Sequence, residues 1–286
     1  MDTRNFKWQV RNDKIELNHR THIMGILNVT PDSFSDGGHF YDIKQAVEQA
    51  LTMEEEGADF IDVGGESTRP GSAPISENEE LDRIIPVIEK LYSLLKIPIS
   101  VDTYKSKVAR QALEAGAKIV NDISGLHFDP EMAKIVAAYN AGIVIMHIKG
   151  TPRDMQKDPQ YTDLIEEIID YLNNGITIAC KAGIKNQQIV IDPGIGFGKK
   201  LDDNFKIIKE LSQFQTLNCP VLVGPSRKSF IGNTLRLPVD QRLEGTIAAS
   251  TACILNGANI LRVHDVKQIK RAAIITDKIK RQMLWD

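Results

Sequence analysis

From Ile23 onward the chain repeats one unit, a short apolar, β-branched run followed by a longer stretch with helical spacing. The runs fall at 23–29, 59–64, 98–102, 118–122, 143–148, 188–192, 220–224 and 259–264, which makes eight. Continuous apolar runs suit strands buried on both faces, and strand–helix alternation at this spacing implies a parallel sheet. Eight such units predict an α/β fold of one kind, a (β/α)8 TIM barrel. Residues 1–286 read as a single barrel domain. With 42% hydrophobic residues the chain can fill one core of that size, and no low-complexity stretch or charge block divides it.

The stretches between the runs carry helix punctuation. Asp42 precedes the apolar stripe Ile43, Ala46, Val47, Ala50 and Leu51, and Gly57 stands where a left-handed C-terminal cap belongs. Ser76 and Glu79 have capping-box spacing, with Pro86 further along predicting a kink or a late start. Asp129-Pro130-Glu131 opens another helix, with proline at its first position. Phe205, Ile208 and Leu211 follow Asp202 and Asp203, and a closing helix runs over about 266–280. Residues 1–20 alternate around Asn12-Asp13 and predict a β-hairpin that closes the bottom of the barrel. The two longest connections, 29–41 and 64–76, follow the first two strands, and loops of that length in a compact barrel are more often functional than idle.

The runs end in polar groups: Asn28, Asp62, Asp102, Asn121 with Asp122, His147, Asp192, and Arg262 with His264. Any one of these reads first as the N-cap of the next helix or a packed core residue. Together they point to one mouth, because strand C-termini converge in a barrel and the active site of this fold lies there. The ligand such a mouth accepts is polar and rich in donors and acceptors. Segment 28–38, NVTPDSFSDGG, offers hard oxygen donors that suit Mg2+. Histidines do not cluster at zinc spacing. Segment 224–231 places Arg227 and Lys228 together after the seventh run, a basic pair able to hold an anion. Segment 192–198, DPGIGFG, fails the dinucleotide spacing and predicts a sharp turn with Asp192 inward and Phe197 at the rim.

A net charge of −3 gives no general attraction to nucleic acid or to a membrane surface. Cys180, Cys219 and Cys253 show no CxxC spacing and read as small hydrophobes in a reducing compartment. The N-terminal stretch lacks the apolar core of a signal peptide, so the cytoplasm is expected.

Eight strings, MGILNVTPDSFSDGG (24–38), IDVGGESTRPG (61–71), VDT (101–103), NDISG (121–125), MHIKGTPRDMQ (146–156), DPGIGFGK (192–199), GPSRKSFIG (224–232) and RVHDV (262–266), carry a resemblance. Together the chain resembles the bacterial dihydropteroate synthase family over about residues 22–280. That resemblance implies a Mg2+-assisted, dissociative condensation of 6-hydroxymethyl-7,8-dihydropterin pyrophosphate with p-aminobenzoate, giving dihydropteroate and pyrophosphate. It implies a homodimer and a target of sulfonamides. It puts pterin contacts and catalysis on Asp102, Asp192, Lys228 and Arg262, with Asn121 on the ring edge. Asn28 is the implied metal ligand, and the pyrophosphate falls near Asn28, Arg262 and His264. Asp36 and Arg69 are implied as closing loop elements, and the aminobenzoate pocket as Thr68, Pro70, Phe197, Lys228 and Ser229. One rival is a methyltetrahydrofolate-binding barrel that presents a methyl group to a corrinoid protein. It shares the DPG turn but has no need of the SRK loop, and it works beside a cobalamin domain that this chain does not show. The other, an aldolase-type barrel, wants a Schiff-base lysine inside a strand, and none of the eight runs carries a lysine beyond its first residue.

Overall fold

The computed structural model describes residues 6–30, 39–68 and 71–282. Eight parallel strands form the barrel: β3 His22–Asn28, β4 Phe60–Gly64, β5 Ile99–Asp102, β6 Ile119–Asp122, β7 Gly142–Met146, β8 Ile189–Asp192, β9 Leu222–Val223 and β10 Ile260–Val263. Each pairs with its neighbours in chain order, and β10 pairs with β3. A bridge between Ile191 and Val221 joins β8 to β9 and closes the ring. The helices between them are α1 His39–Glu55, α2 Glu77–Leu94, α3 Ser106–Ala115, α4 Met132–Ala138, α5 Leu164–Lys181, α6 Leu201–Lys209, α7 Ser229–Leu235, α8 Leu243–Leu255 and α9 Val266–Gln282. All eight predicted runs are strands.

Alternation along each strand divides the core in two. Ile23, Ile61, Val101, Val120, Ile143, Ile189, Val223 and Leu261 face outward and pack with the helices. Met24, Phe60, Ile119, Val144, Val190, Leu222 and Ile260 face inward at the N-terminal end. There they meet Trp8, Val10 and Leu17 from the hairpin of β1 Lys7–Val10 and β2 Asp13–Glu16. Trp8 is fully buried and its indole N–H donates to the Gln188 carbonyl at 2.9 Å. The hairpin therefore closes the bottom as its alternation predicts. Its turn is Arg11-Asn12, one residue earlier than the Asn12-Asp13 reading, with Val10 paired to Asp13 and Arg11 in the left-handed region (φ 54°).

Helix starts differ from expectation where tertiary contacts compete. α1 already runs at His39, so Asp42 lies in its first turn rather than capping it. Gly57 (φ 98°) ends that helix as a left-handed cap. The Ser76 hydroxyl accepts from the Glu79 N–H at 3.2 Å, but the Glu79 side chain turns to Arg83 instead of closing a reciprocal box. α2 runs unbroken through Pro86 because its buried face of Leu81, Ile84, Val87, Ile88 and Leu91 holds it to the barrel. Asp129-Pro130-Glu131 forms a turn ahead of α4, closed by the Asp129 carboxylate accepting from Glu131 N–H at 3.0 Å, and α4 itself starts at Met132 with no side-chain cap. α6 ends at Lys209, so Leu211 opens a separate short 3-10 turn.

Candidate active site

On four of the strands a step of two residues leads from the apolar floor to a polar side chain on the same inward face. Phe60 is followed by Asp62, Ile119 by Asn121, Val190 by Asp192 and Ile260 by Arg262. Asp102 pairs in register with Asn121 across the β5–β6 ladder, and Asp192 with Met146 across β7–β8. The same parity sends Asp122 outward. Its carboxylate accepts from the Ser124 and Leu126 N–H groups at 2.8 and 2.9 Å, so it caps its own turn and is no part of the mouth.

One guanidinium organises the floor. Arg262 Nε lies 2.6 Å from Asp62 Oδ2, and its Nη2 lies 2.6 Å from Asp102 Oδ2. Asn121 Nδ2 donates to the same Asp62 oxygen at 2.9 Å. Asp62 Oδ1 and Asp102 Oδ1 are buried without a partner. A buried acceptor with nothing to accept carries a desolvation cost of about 1–3 kcal/mol, which a bound donor would relieve. Asn28 stands beside them: the point where a Cβ on Gly64 would sit is 3.5 Å from Asp102 Cβ and 3.9 Å from Asn28 Oδ1.

Sharing one cation between two carboxylates leaves charge uncompensated. Burial raises the Asp102 carboxyl to about 7; Arg262 opposes that rise, and Asp62 and Glu80 add to it. Burial likewise raises Asp192 to about 6 against the Gly194 N–H, which donates to its Oδ1 at 2.7 Å, and against Lys228. Arg262 stays charged, because Asp62 and Asp102 outweigh its desolvation. Burial lowers the Lys228 ammonium to about 8, with Arg262 adding to the fall. His264 is pushed down to about 3 by burial and then by Arg262 and Arg227, so it presents a neutral imidazole whose Nδ1 lies 3.0 Å from Ser226 Oγ.

The turn 193–199 builds one wall. Gly194 (φ 70°) must be glycine, since a Cβ there would run into the His147 carbonyl oxygen. The Phe197 ring is buried rather than at the rim, packed with Ile123, Met146, Ile148 and Met155. Lys228 Nζ sits 4.1 Å from its centroid, within cation–π range. Arg227 does not join Lys228: its Nε donates to Asp265 at 3.0 Å, so the expected basic pair splits into one structural and one site residue. Ser229 is exposed at the first turn of α7, and Thr68 is partly exposed after β4. Asp36, Arg69 and Pro70 lie outside the described residues.

Asp102, Asp192, Asn121, Arg262, Lys228, Phe197, Asn28 and His264 thus all stand at or beside the C-terminal mouth. Three groups beside the site are not among the catalytic, binding or metal residues that the sequence predicted. Asp62 anchors Arg262. Lys199 Nζ lies 2.6 Å from His147 Nδ1 beneath the Phe197 turn. Lys105 joins Glu66 and Glu80, the latter at 2.6 Å, below the loop after β4. Asp62 had a visible signal, its place at a strand end, and Lys199 closes the DPGIGFGK string; Lys105 had none.

Residues 24–264 match the sequence model of the pterin binding enzymes. The chain belongs to that family. The dihydropteroate synthase of Clostridium beijerinckii is 47% identical, over 96% of this chain and 100% of its own. Among solved structures, a dihydropteroate synthase from Clostridium difficile, determined in the presence of pteroic acid, superposes with a TM-score of 0.87. It is 47% identical and covers 91% of this chain and 97% of its own. The Xanthomonas albilineans enzyme with 4-aminobenzoic acid gives a TM-score of 0.90 at 41% identity, covering 97% of this chain and 99% of its own. The mouth has the chemistry to take a polar ring: its buried carboxylates can accept from N–H donors, and an amide such as Asn121 can both donate and accept.

Proposed function

We propose that this chain condenses 6-hydroxymethyl-7,8-dihydropterin pyrophosphate with p-aminobenzoate to give 7,8-dihydropteroate and pyrophosphate. The observation that carries the reading is the Asp62–Arg262–Asp102 floor with two unpartnered carboxylate oxygens, flanked by Asn121 and Asp192. A pterin's amidine-like edge supplies the donors those oxygens lack. In the reaction the methylene C–O bond breaks with its electron pair leaving on pyrophosphate, the aniline nitrogen forms the new C–N bond, and one proton is released. Asp102 and Asp192 stabilise positive charge that spreads into the ring as the bond loosens. Arg262 and the neutral His264 meet the departing oxygens, one with charge and the other as a hydrogen-bond donor. Lys228 and Phe197 hold the arylamine, with Thr68, Pro70 and Ser229 beside it; Asp36 and Arg69 complete the loops in this reading.

Among the described residues the donor for Mg2+ at the mouth is Asn28, and residues 31–38 of the segment expected to offer hard oxygens lie outside them. Among the described residues no group of three or more His, Cys, Asp or Glu side chains could hold a metal. Asn28 offers one neutral amide oxygen at the mouth, which suits an ion bound chiefly through phosphate oxygens and water. Asn28 would hold it, and when bound it supplies charge stabilisation to the leaving pyrophosphate.

We further infer a homodimer through the last helices, where Leu255, Ile274, Ile275 and Ile279 are exposed. The reaction is assigned to the cytoplasm, where thiols such as Cys180, Cys219 and Cys253 stay reduced. No helix among the described residues is long and apolar enough to cross a membrane. The test is chromatographic detection of dihydropteroate and pyrophosphate with each component left out in turn. Equimolar products that need both substrates support the reading. Methyl transfer from methyltetrahydrofolate to a corrinoid, with no dihydropteroate formed, would replace it with the rival barrel.

A further inference from the structure

Three successive carbonyls of the turn 193–199 are each held by a different side chain. Gln156 Nε2 donates to Gly196 O at 2.8 Å, Lys199 Nζ to Phe197 O at 3.0 Å, and Tyr161 Oη to Gly198 O at 2.7 Å. The Gly196 N–H is held as well, donating to Asn204 Oδ1 at 2.7 Å. A turn at a barrel mouth could leave its carbonyls to water at no cost. Here a lysine that is 2% exposed has been buried to reach one of them, against a His147 ring that is 3% exposed. Burying an amine is expensive unless it is fully bonded. Lys199 lies in the DPGIGFGK string, yet its amine is turned onto the turn's own backbone and His147 rather than toward the Arg262 floor.

The three bonds hold three consecutive peptide units, the first two of which flank the Phe197 Cα. That ring forms one wall of the mouth and lies 4.1 Å from Lys228 Nζ. A carbonyl fixed on each side of Phe197 and at Phe197 itself leaves its backbone little freedom to tilt the ring. Two of the three donors, Gln156 and Tyr161, belong to the segment between β7 and α5, so the segment and the ring are joined mechanically. Burial depresses both Lys199 and His147 well below their usual ranges, which favours the uncharged pair that such a dry position tolerates.

We propose that Lys199, Gln156 and Tyr161 are positioning residues that fix the Phe197 ring against Lys228 and so set the affinity of the site for its arylamine substrate. This rests on the reading of Phe197 and Lys228 as the arylamine pocket. None of the three needs to touch substrate.

The experiment is steady-state kinetics of the full chain carrying Lys199→Met, Gln156→Leu or Tyr161→Phe, alone and combined with Phe197→Leu. Each single variant should raise the KM for p-aminobenzoate by roughly 3- to 20-fold, the scale of one lost hydrogen bond. The KM for the pterin pyrophosphate and kcat should stay within about twofold, a split that general loss of folded enzyme cannot produce. Added to Phe197→Leu, the same changes should shift the arylamine KM by less than about twofold, because the ring through which they act is gone. Equal losses in both KM values and kcat, or full additivity with Phe197→Leu, would overturn the proposal. If Phe197→Leu itself leaves the arylamine KM unchanged, the pocket reading fails first. If Phe197→Leu raises it and the three variants do not, only the positioning role fails. Should Lys199→Met not fold, the exposed Gln156 and partly exposed Tyr161 carry the same test.

Discussion

At the scale of single residues the site is a problem of two buried carboxylates sharing one guanidinium. Asp102 Oδ2 and Asp62 Oδ2 both lie 2.6 Å from Arg262, while each keeps a second oxygen with no partner. Burial raises Asp102 to about 7 and Asp192 to about 6. Raised carboxyls bind protons more tightly in the folded chain. Their favourable contribution to stability is therefore complete below the ordinary carboxyl value of about 4 and is lost as pH rises through about 6 and 7. The charged forms that receive a pterin are thus least comfortable at the pH where they are needed. Calorimetry with 6-hydroxymethylpterin, which has no phosphate to titrate, should show binding tighten from about pH 5 to about pH 8. A flat profile would mean that neither carboxyl accepts from the ring. Asp102→Asn should lower kcat on the order of 100-fold while weakening pterin binding less than about tenfold, since charge on the ring grows only in the transition state. Equal losses would assign Asp102 to simple holding.

At the scale of elements, strands were legible and partnerships were not. Each run such as 143–148 is apolar on both faces because it is buried on both, so the strand and its polar terminus stand out in the sequence. Parity along a strand then separates Asn121 from Asp122, a distinction composition alone left open. Long-range ion pairing left no such mark: Arg227 pairs with Asp265 instead of standing beside Lys228, and Lys199 turns back to His147. Asp42 misled because α1 is longer than its apolar stripe. The hairpin offers an element-scale test. Trp8 is fully buried at the end opposite the mouth. Trp8→Ala should cost about 3–5 kcal/mol in urea unfolding, as large core truncations do, with the KM values of the surviving enzyme unchanged within about twofold. Altered KM values at unchanged stability would mean that the floor transmits to the mouth.

For the whole molecule, closing a ring of eight strands brings residues from position 28 to position 264 to one end. No local segment contains the site, which is why the family match spans 24–264 and not a short motif. The outer surface makes its own claim through α8 and α9. Ile275 is 62% exposed, and under the proposed homodimer Ile275→Lys should shift sedimentation from dimer to monomer at micromolar concentration while leaving the fold intact. An unchanged sedimentation profile would move the interface elsewhere. The most direct test of the account is a crystal structure of the chain with dihydropteroate bound. The pterin ring should lie at the C-terminal mouth with its N–H donors within hydrogen-bond distance of Asp102 Oδ1 and an oxygen of Asp192, Asn121 on the adjoining edge, and the aryl group against Phe197. Product lodged anywhere that leaves Asp102, Asp192 and Arg262 untouched would contradict it.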